Sequence, residues 1–419
     1  MKQIKIIGNQ ILSGTVEISG AKNAAVALVP ASLLSDGIVK LDNIPNISDI
    51  SALNEILTYL GATVKRDEGT MTIDSSSLKN KSIPKEISSK LRASYYFMAA
   101  LLGKYKRSEM YFPGGCNIGA RPIDQTLKAF ERLGATVKEE QNRYIIEAEE
   151  LIGNDVYLDM PSVGATINTM LVAVKAHGQT IIHNAAREPE IVSVATFLNN
   201  MGGKISGAGT NRIIIQGVET LSGCFTEVIP DRIEAGTYLI AGALIGQDLT
   251  IKNIIPNHID ALISKLKEIG IPMEIGKDYI KVSKGTNLKP VKVQTQGYPG
   301  FVTDLQQPFT TILTQCNGKS SLEETIYENR FNNIPYLNQM GSNIEILDNN
   351  KKIAIYGPTK LHGAKIEATD LRAGAGLILA ALIADGETTI TSIEHVLRGY
   401  ENIIGKLTRI GAKIKIEEI

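Results

Sequence analysis

Leu133-Gly134-Ala135-Thr136-Val137 repeats, residue for residue, the earlier Leu60-Gly61-Ala62-Thr63-Val64. The pattern returns as Met201-Gly202-Gly203-Lys204-Ile205, Ile269-Gly270, Met340-Gly341-Ser342-Asn343-Ile344 and Ile410-Gly411-Ala412-Lys413-Ile414. Successive glycines stand 73, 68, 68, 71 and 70 residues apart. A glycine between a helical pattern and a β-type residue is what ends a helix with a left-handed turn.

A second marker keeps the same beat. A polar residue opens an apolar run rich in small residues at Lys22, Arg92, Ser162, Arg232, Thr303 and Arg372. The steps are 70, 70, 70, 71 and 69 residues. Two independent markers with one period identify six copies of one unit of about 70 residues. Each run is apolar on nearly all sides, so it predicts a fully buried helix. Alternating stretches follow, such as Ile38-Val39-Lys40-Leu41 and Thr180-Ile181-Ile182, and predict strands. Then come an amphipathic helix (Ile123–Leu133, Ile259–Ile269), the turn glycine and two β-rich segments.

The unit therefore reads βαβαββ, and the fold class is α+β, with helices inside and sheets outside. Six units suggest two lobes of three. The expected division is 22–229 for the N-terminal lobe and 1–21 plus 230–419 for the C-terminal lobe, with a site in the cleft between them. A single open array is the alternative.

The 419 residues can bury more than one core. Lys+Arg and Asp+Glu both number 44, so no global charge draws the chain to nucleic acid or an acidic membrane. The N-terminus lacks the apolar stretch of a signal peptide, and no apolar run approaches membrane-helix length. Cys116, Cys224 and Cys316 are too scattered for a disulfide framework, and five histidines form no HxxxH pair. The expectation is a cytoplasmic protein with no metal and no cofactor.

The equivalent helix openings carry Lys22, Arg92, Ser162, Arg232, Thr303-Asp304 and Arg372. Four of the six are cations at positions where a helix N-terminus already favours anions. A cation is not what a capping position prefers, so an anionic ligand is the reason offered for them. Loops toward the second helices add Arg121, Arg330 and Arg398. Asp304 is a carboxylate among cations, with Asp231 and Asp370 as its possible partners. Pro113-Gly114-Gly115-Cys116 is a glycine-rich loop with one thiol, five residues before Arg121.

Several of these stretches together resemble the enolpyruvyl transferase family, and within it the branch acting on UDP-N-acetylglucosamine. They are Ser19-Gly20-Ala21-Lys22-Asn23-Ala24, the Cys116 loop with Ile118-Gly119-Ala120-Arg121-Pro122-Ile123-Asp124, and Asn184-Ala185-Ala186-Arg187-Glu188-Pro189-Glu190. Pro230-Asp231-Arg232-Ile233-Glu234, Thr303-Asp304, Glu328-Asn329-Arg330 and Asp370-Leu371-Arg372 complete the set, in order along the chain.

The resemblance implies two inside-out α/β barrels of three subdomains each. It also implies transfer of enolpyruvate from phosphoenolpyruvate to the 3′-hydroxyl of UDP-N-acetylglucosamine by addition–elimination. The partners are then those two small molecules. By resemblance, Cys116 donates a proton, Asp304 is the base, and Lys22, Arg121 and Arg398 hold phosphoenolpyruvate. Asn23, Arg92, the turn Arg121-Pro122-Ile123-Asp124-Gln125, Ser162, Val163, Asp304, Ile326, Arg330, Asp370 and Arg372 join them as substrate-binding residues. Val302 stands where the family often has proline.

The sister branch acting on shikimate 3-phosphate has a serine-rich motif around its lysine and no cysteine loop. A thiol-redox protein would need a resolving cysteine near Cys116. A non-catalytic scaffold leaves the cations unexplained.

Overall fold

Residues 2–114 and 123–418 are described by a computed structural model, and the turn glycines there have the predicted backbone. Gly61, Gly134, Gly202, Gly270, Gly341 and Gly411 all lie between φ +96° and +109°. Such a φ is strained for any residue with a Cβ. They follow the helices Ser48–Leu60, Asp124–Arg132, Pro189–Asn200, Asp260–Ile269, Ile334–Gln339 and Ile403–Arg409.

The apolar runs form six inner helices. They are α1 (Lys22–Ala31), α2 (Tyr96–Tyr105), α3 (Val163–Ala173), α4 (Arg232–Ile245), α5 (Gln306–Leu313) and α6 (Leu371–Ile383). Every residue of α4 is buried. Burial of each large apolar side chain is worth about 1.5–3 kcal/mol. The small residues set how closely the helices approach. A Cβ added to Gly376 of α6 would sit 2.8 Å from the carbonyl oxygen of Gln307 in α5. Two of the runs do not open as α-helix. Arg92–Tyr95 and Thr303–Leu305 are 3-10 turns leading into α2 and α5.

The strands form six sheets among the described residues, on a common plan. Asp155–Tyr157 precedes α3 and pairs in parallel with Gln179–His183, which follows it. Arg212–Gln216 and then Lys204–Ser206 add antiparallel. With the helix Pro189–Asn200 this is the βαβαββ order read from the sequence. The sheet of Arg107–Tyr111 has three strands, and a single parallel bridge from Ile83 to Met110 stands where the fourth would be.

Two compact units result. One holds residues 2–19 and 230–418; the other holds 20–114 and 123–229. Each has its own hydrophobic core. Thr15–Glu17 precedes α1 in sequence but pairs with Leu249–Lys252, the strand after α4. Phe225–Glu227 precedes α4 but pairs with Val39–Asp42, the strand after α1. Lys2–Ile7 fills the sheet of the sixth repeat between Glu387–Thr391 and Ile414–Glu418. No described helix is long and apolar enough to cross a membrane.

Candidate active site

In the unit of residues 2–19 and 230–418, the start of each inner helix carries a carboxylate. Asp231 Oδ1 accepts from the amides of Ile233 at 2.8 Å and Glu234 at 3.0 Å, capping α4. Asp370 Oδ1 accepts from the amides of Arg372 at 2.9 Å and Ala373 at 3.0 Å, capping α6. Arg232 and Arg372 thus stand at or near helix N-termini, as expected, with an aspartate as the cap. The sequence offers Asp231 and Asp370 as possible partners of Asp304, and Oδ1 of each is engaged by helix amides instead.

Asp304 has no such task, because it lies in the 3-10 turn before α5. Its Oδ1 accepts from Arg330 Nη2 at 2.7 Å and its Oδ2 from Arg372 Nη2 at 3.0 Å. The arginine side chains are 3% and 6% exposed, while that of Asp304 keeps 26%. The cluster is therefore closed behind the carboxylate and open at it. Burial works against the charge, but Arg372, Arg330 and Arg232 outweigh it and hold the carboxyl far below the usual range. The sequence anticipated Asp304 among cations, and the structure brings three of the predicted residues into one contact.

Glu324, which sequence reasoning missed, fixes the neighbourhood. It is buried, and its Oε1 accepts from Thr295 Oγ1 at 2.9 Å and from the amide of Ile326 at 2.8 Å. Its Oε2 accepts from Thr303 Oγ1 at 2.8 Å. One side chain thus ties the Thr303-Asp304 turn to the loop carrying Ile326, which is 41% exposed. Tyr327 places its ring 5.4 Å from the Arg330 guanidinium, and Tyr298 sits 5.5 Å from that of Arg232. Arg398 ends the short helix Glu394–Leu397, two residues before the buried Tyr400.

In the other unit, Lys22 is the first residue of α1, and its ammonium pairs with Asp49 Oδ2 at 2.8 Å. Asp49 is buried in the first turn of Ser48–Leu60. Asn23 follows Lys22 in the first turn. The Arg92 guanidinium lies 5.8 Å from the Tyr95 ring. Ser162 caps α3, its Oγ accepting from the Ala165 amide at 3.3 Å, and Val163 is the first helical residue. That gives Ser162 an ordinary structural task. Ile123 is buried at the start of Asp124–Arg132. Asp124 is exposed and faces Lys128 at 3.9 Å. Gln125 Oε1 accepts from the Met160 amide at 3.2 Å, joining that helix to the segment before α3. Cys116, Arg121 and Pro122 lie outside the described residues. The loop that leads to them starts at Gly114, where a Cβ would come within 1.7 Å of the Ser89 carbonyl oxygen.

Compared with known proteins, the chain matches the EPSP synthase (3-phosphoshikimate 1-carboxyvinyltransferase) family over residues 6–407. It is 50% identical over 419 residues to the UDP-N-acetylglucosamine 1-carboxyvinyltransferase 2 of Geobacillus kaustophilus (strain HTA426). That match covers 100% of this chain and 97% of the relative. The protein of the same name from Bacillus subtilis (strain 168) is 50% identical over 415 residues, covering 99% and 96%. Among solved structures, the enolpyruvyl transferase NikO from Streptomyces tendae superposes with a TM-score of 0.89 at 26% identity, covering 99% and 98%. An EPSP synthase from Acinetobacter baumannii gives 0.77 at 19% identity with full coverage of both chains, a likeness of fold alone.

Proposed function

The chain belongs to the EPSP synthase family of enolpyruvyl transferases, and from that premise we propose how its residues work and on which acceptor. The reaction is transfer of the enolpyruvyl group of phosphoenolpyruvate to the 3′-hydroxyl of UDP-N-acetylglucosamine, with release of phosphate. In a bacterium this is the first committed step of peptidoglycan synthesis. The observation that carries it is the 50% identity, end to end, to relatives bearing that name. The likeness to EPSP synthase structures at 19% identity supports the fold and not the acceptor.

The chemistry is addition followed by elimination. A proton goes to C3 of phosphoenolpyruvate, which makes C2 electrophilic. The sugar oxygen bonds to C2 as its own proton leaves. Then C3 gives up a proton, the C2–O bond to phosphate breaks, and the enol ether remains. We assign the C3 proton to Cys116 and the hydroxyl proton to Asp304. A thiol with its ordinary pKa of about 8.5 is mostly protonated at neutral pH and can donate. Lys22, Arg121 and Arg398 hold phosphoenolpyruvate. Asn23, Arg92, Pro122, Ile123, Asp124, Gln125, Ser162, Val163, Ile326, Arg330, Asp370 and Arg372 serve binding of the two substrates.

Asp304 clamped by two arginines is a weak base, since a useful base has a pKa near the working pH. Substrate anions that draw Arg330 or Arg372 toward themselves raise its basicity at the moment the hydroxyl arrives. The small, soluble substrates and unpaired thiols fit a cytoplasmic setting. The test is phosphate release from phosphoenolpyruvate with each acceptor. UDP-N-acetylglucosamine should support it and shikimate 3-phosphate should not; the reverse preference overturns the reading.

A further inference from the structure

We propose that Tyr400, held by Thr237, is a positioning residue that sets the Arg372 guanidinium against Asp304; this rests on the functional reading above. Tyr400 is 1% exposed, and its ring centroid lies 5.4 Å from the Arg372 guanidinium carbon. Its hydroxyl lies 2.9 Å from Thr237 Oγ1, inside α4. Thr237 has one hydroxyl proton, and Oγ1 lies 2.9 Å from the Ile233 carbonyl oxygen, which can only accept. With that proton committed, Tyr400 must donate to Thr237. The lone pairs of the phenol oxygen are then left for Arg372, whose charge is favoured by the Tyr400 hydroxyl. A directed chain results, from Arg372 to Tyr400 to Thr237 to the Ile233 carbonyl.

The backbone around Tyr400 is built for this placement. Gly399 lies so close to α6 that an added Cβ would stand 2.6 Å from the Leu371 side chain. The segment bearing Tyr400 is therefore packed onto the first turn of the helix that bears Arg372. A guanidinium has several rotamers, and a plane held by ring and hydroxyl loses fewer of them on pairing. Neither Tyr400 nor Thr237 was singled out by sequence reasoning, because their meeting spans 163 residues.

The charged groups around Asp304 are Arg372 from α6, Arg330 from the loop before Ile334–Gln339, and Arg232 from α4, with Asp231 and Asp370 occupied as caps. Loosening Arg372 removes the largest of the attractions that keep Asp304 ionised, so its carboxyl pKa must rise. Tyr400→Phe keeps the ring and removes the hydroxyl. It should lower kcat by about 10-fold or more, as misplacement of a binding group does, and introduce an acid-side loss of kcat/KM absent from the wild type. Thr237→Val should do the same, and Thr237→Ser should restore wild-type behaviour.

A second readout needs no substrate. In 15N NMR, the Nε–H signal of Arg372, assigned with Arg372→Lys, should be sharp in the wild type and in Thr237→Ser. It should broaden by exchange in Tyr400→Phe. Wild-type kcat, acid profile and Arg372 signal in Tyr400→Phe overturn the proposal. A wild type that releases no phosphate with UDP-N-acetylglucosamine overturns the functional reading instead, and the Arg372 signal still decides the positioning role.

Discussion

Asp304 pairs with both arginines at once, and that geometry is the ground on which we propose it as the base. Asp304→Asn preserves size and removes the basicity. We expect kcat to fall by about 10²–10⁴-fold, the range for loss of a general base. Unchanged kcat with a raised KM would make Asp304 a binding residue. Cys116→Ser should lose turnover to a similar degree while still binding UDP-N-acetylglucosamine, measured by calorimetry; full turnover removes the acid role.

A third residue titrates away from the reaction. Glu234 is buried, with Lys406 Nζ at 2.6 Å and the Ser19 amide at 2.9 Å. Burial pushes its carboxyl from the usual 4.5 up to about 7, and Lys406 only partly offsets this. Its folded pKa is above its unfolded one, so its contribution to stability is full below about pH 4.5 and fades as pH rises through about 7. The wild-type urea midpoint should therefore drop relative to that of Glu234→Gln between about pH 4.5 and 7, with the difference level above that. A constant difference contradicts the assignment. The residues legible in the sequence were those whose type clashed with their setting, such as Asp304 among arginines. Glu324, Asp49 and Tyr400 were not, since each acts on a partner far along the chain.

At the scale of elements, the repeat was legible because the backbone imposes it. The six turn glycines share one φ range, and only glycine adopts it without strain. Gly270 isolates that strain, because nothing lies within 4 Å of an added Cβ while φ is +102°. Gly270→Ala should destabilise by about 1–2 kcal/mol, the penalty for a Cβ in the left-handed region. An unchanged denaturation midpoint contradicts it. What the sequence did not disclose was how the inner helices begin. Polar residues at their openings looked equivalent, but two helices are capped by Asp231 and Asp370, one by Ser162, and two are entered through 3-10 turns. Small differences in cap chemistry decide this, each worth about 1 kcal/mol. The 3-10 turn matters for the site, since it frees Asp304 from capping.

For the whole molecule, the order of units was readable from period alone. Residues 1–21 were expected to join the C-terminal half, but their strand partner was not legible, because parallel pairing of Thr15–Glu17 with Leu249–Lys252 leaves no local signal in three residues. Ligand linkage acts on the whole fold. UDP-N-acetylglucosamine at about 100 times its Kd should raise stability by about 2.7 kcal/mol, read as a rise in Tm, and shikimate 3-phosphate should not. Equal shifts would mean the acceptor is not discriminated. Enolpyruvyl transfer to the sugar by addition–elimination leaves an isotopic record in product made in D₂O. Addition delivers a deuteron to C3 and gives a methyl group, from which elimination removes either isotope. The expected product is a 3′-O-enolpyruvyl sugar nucleotide with deuterium in its vinylic methylene, seen by NMR and mass spectrometry. No such product, or one with no deuterium at C3, would contradict enolpyruvyl transfer by this route.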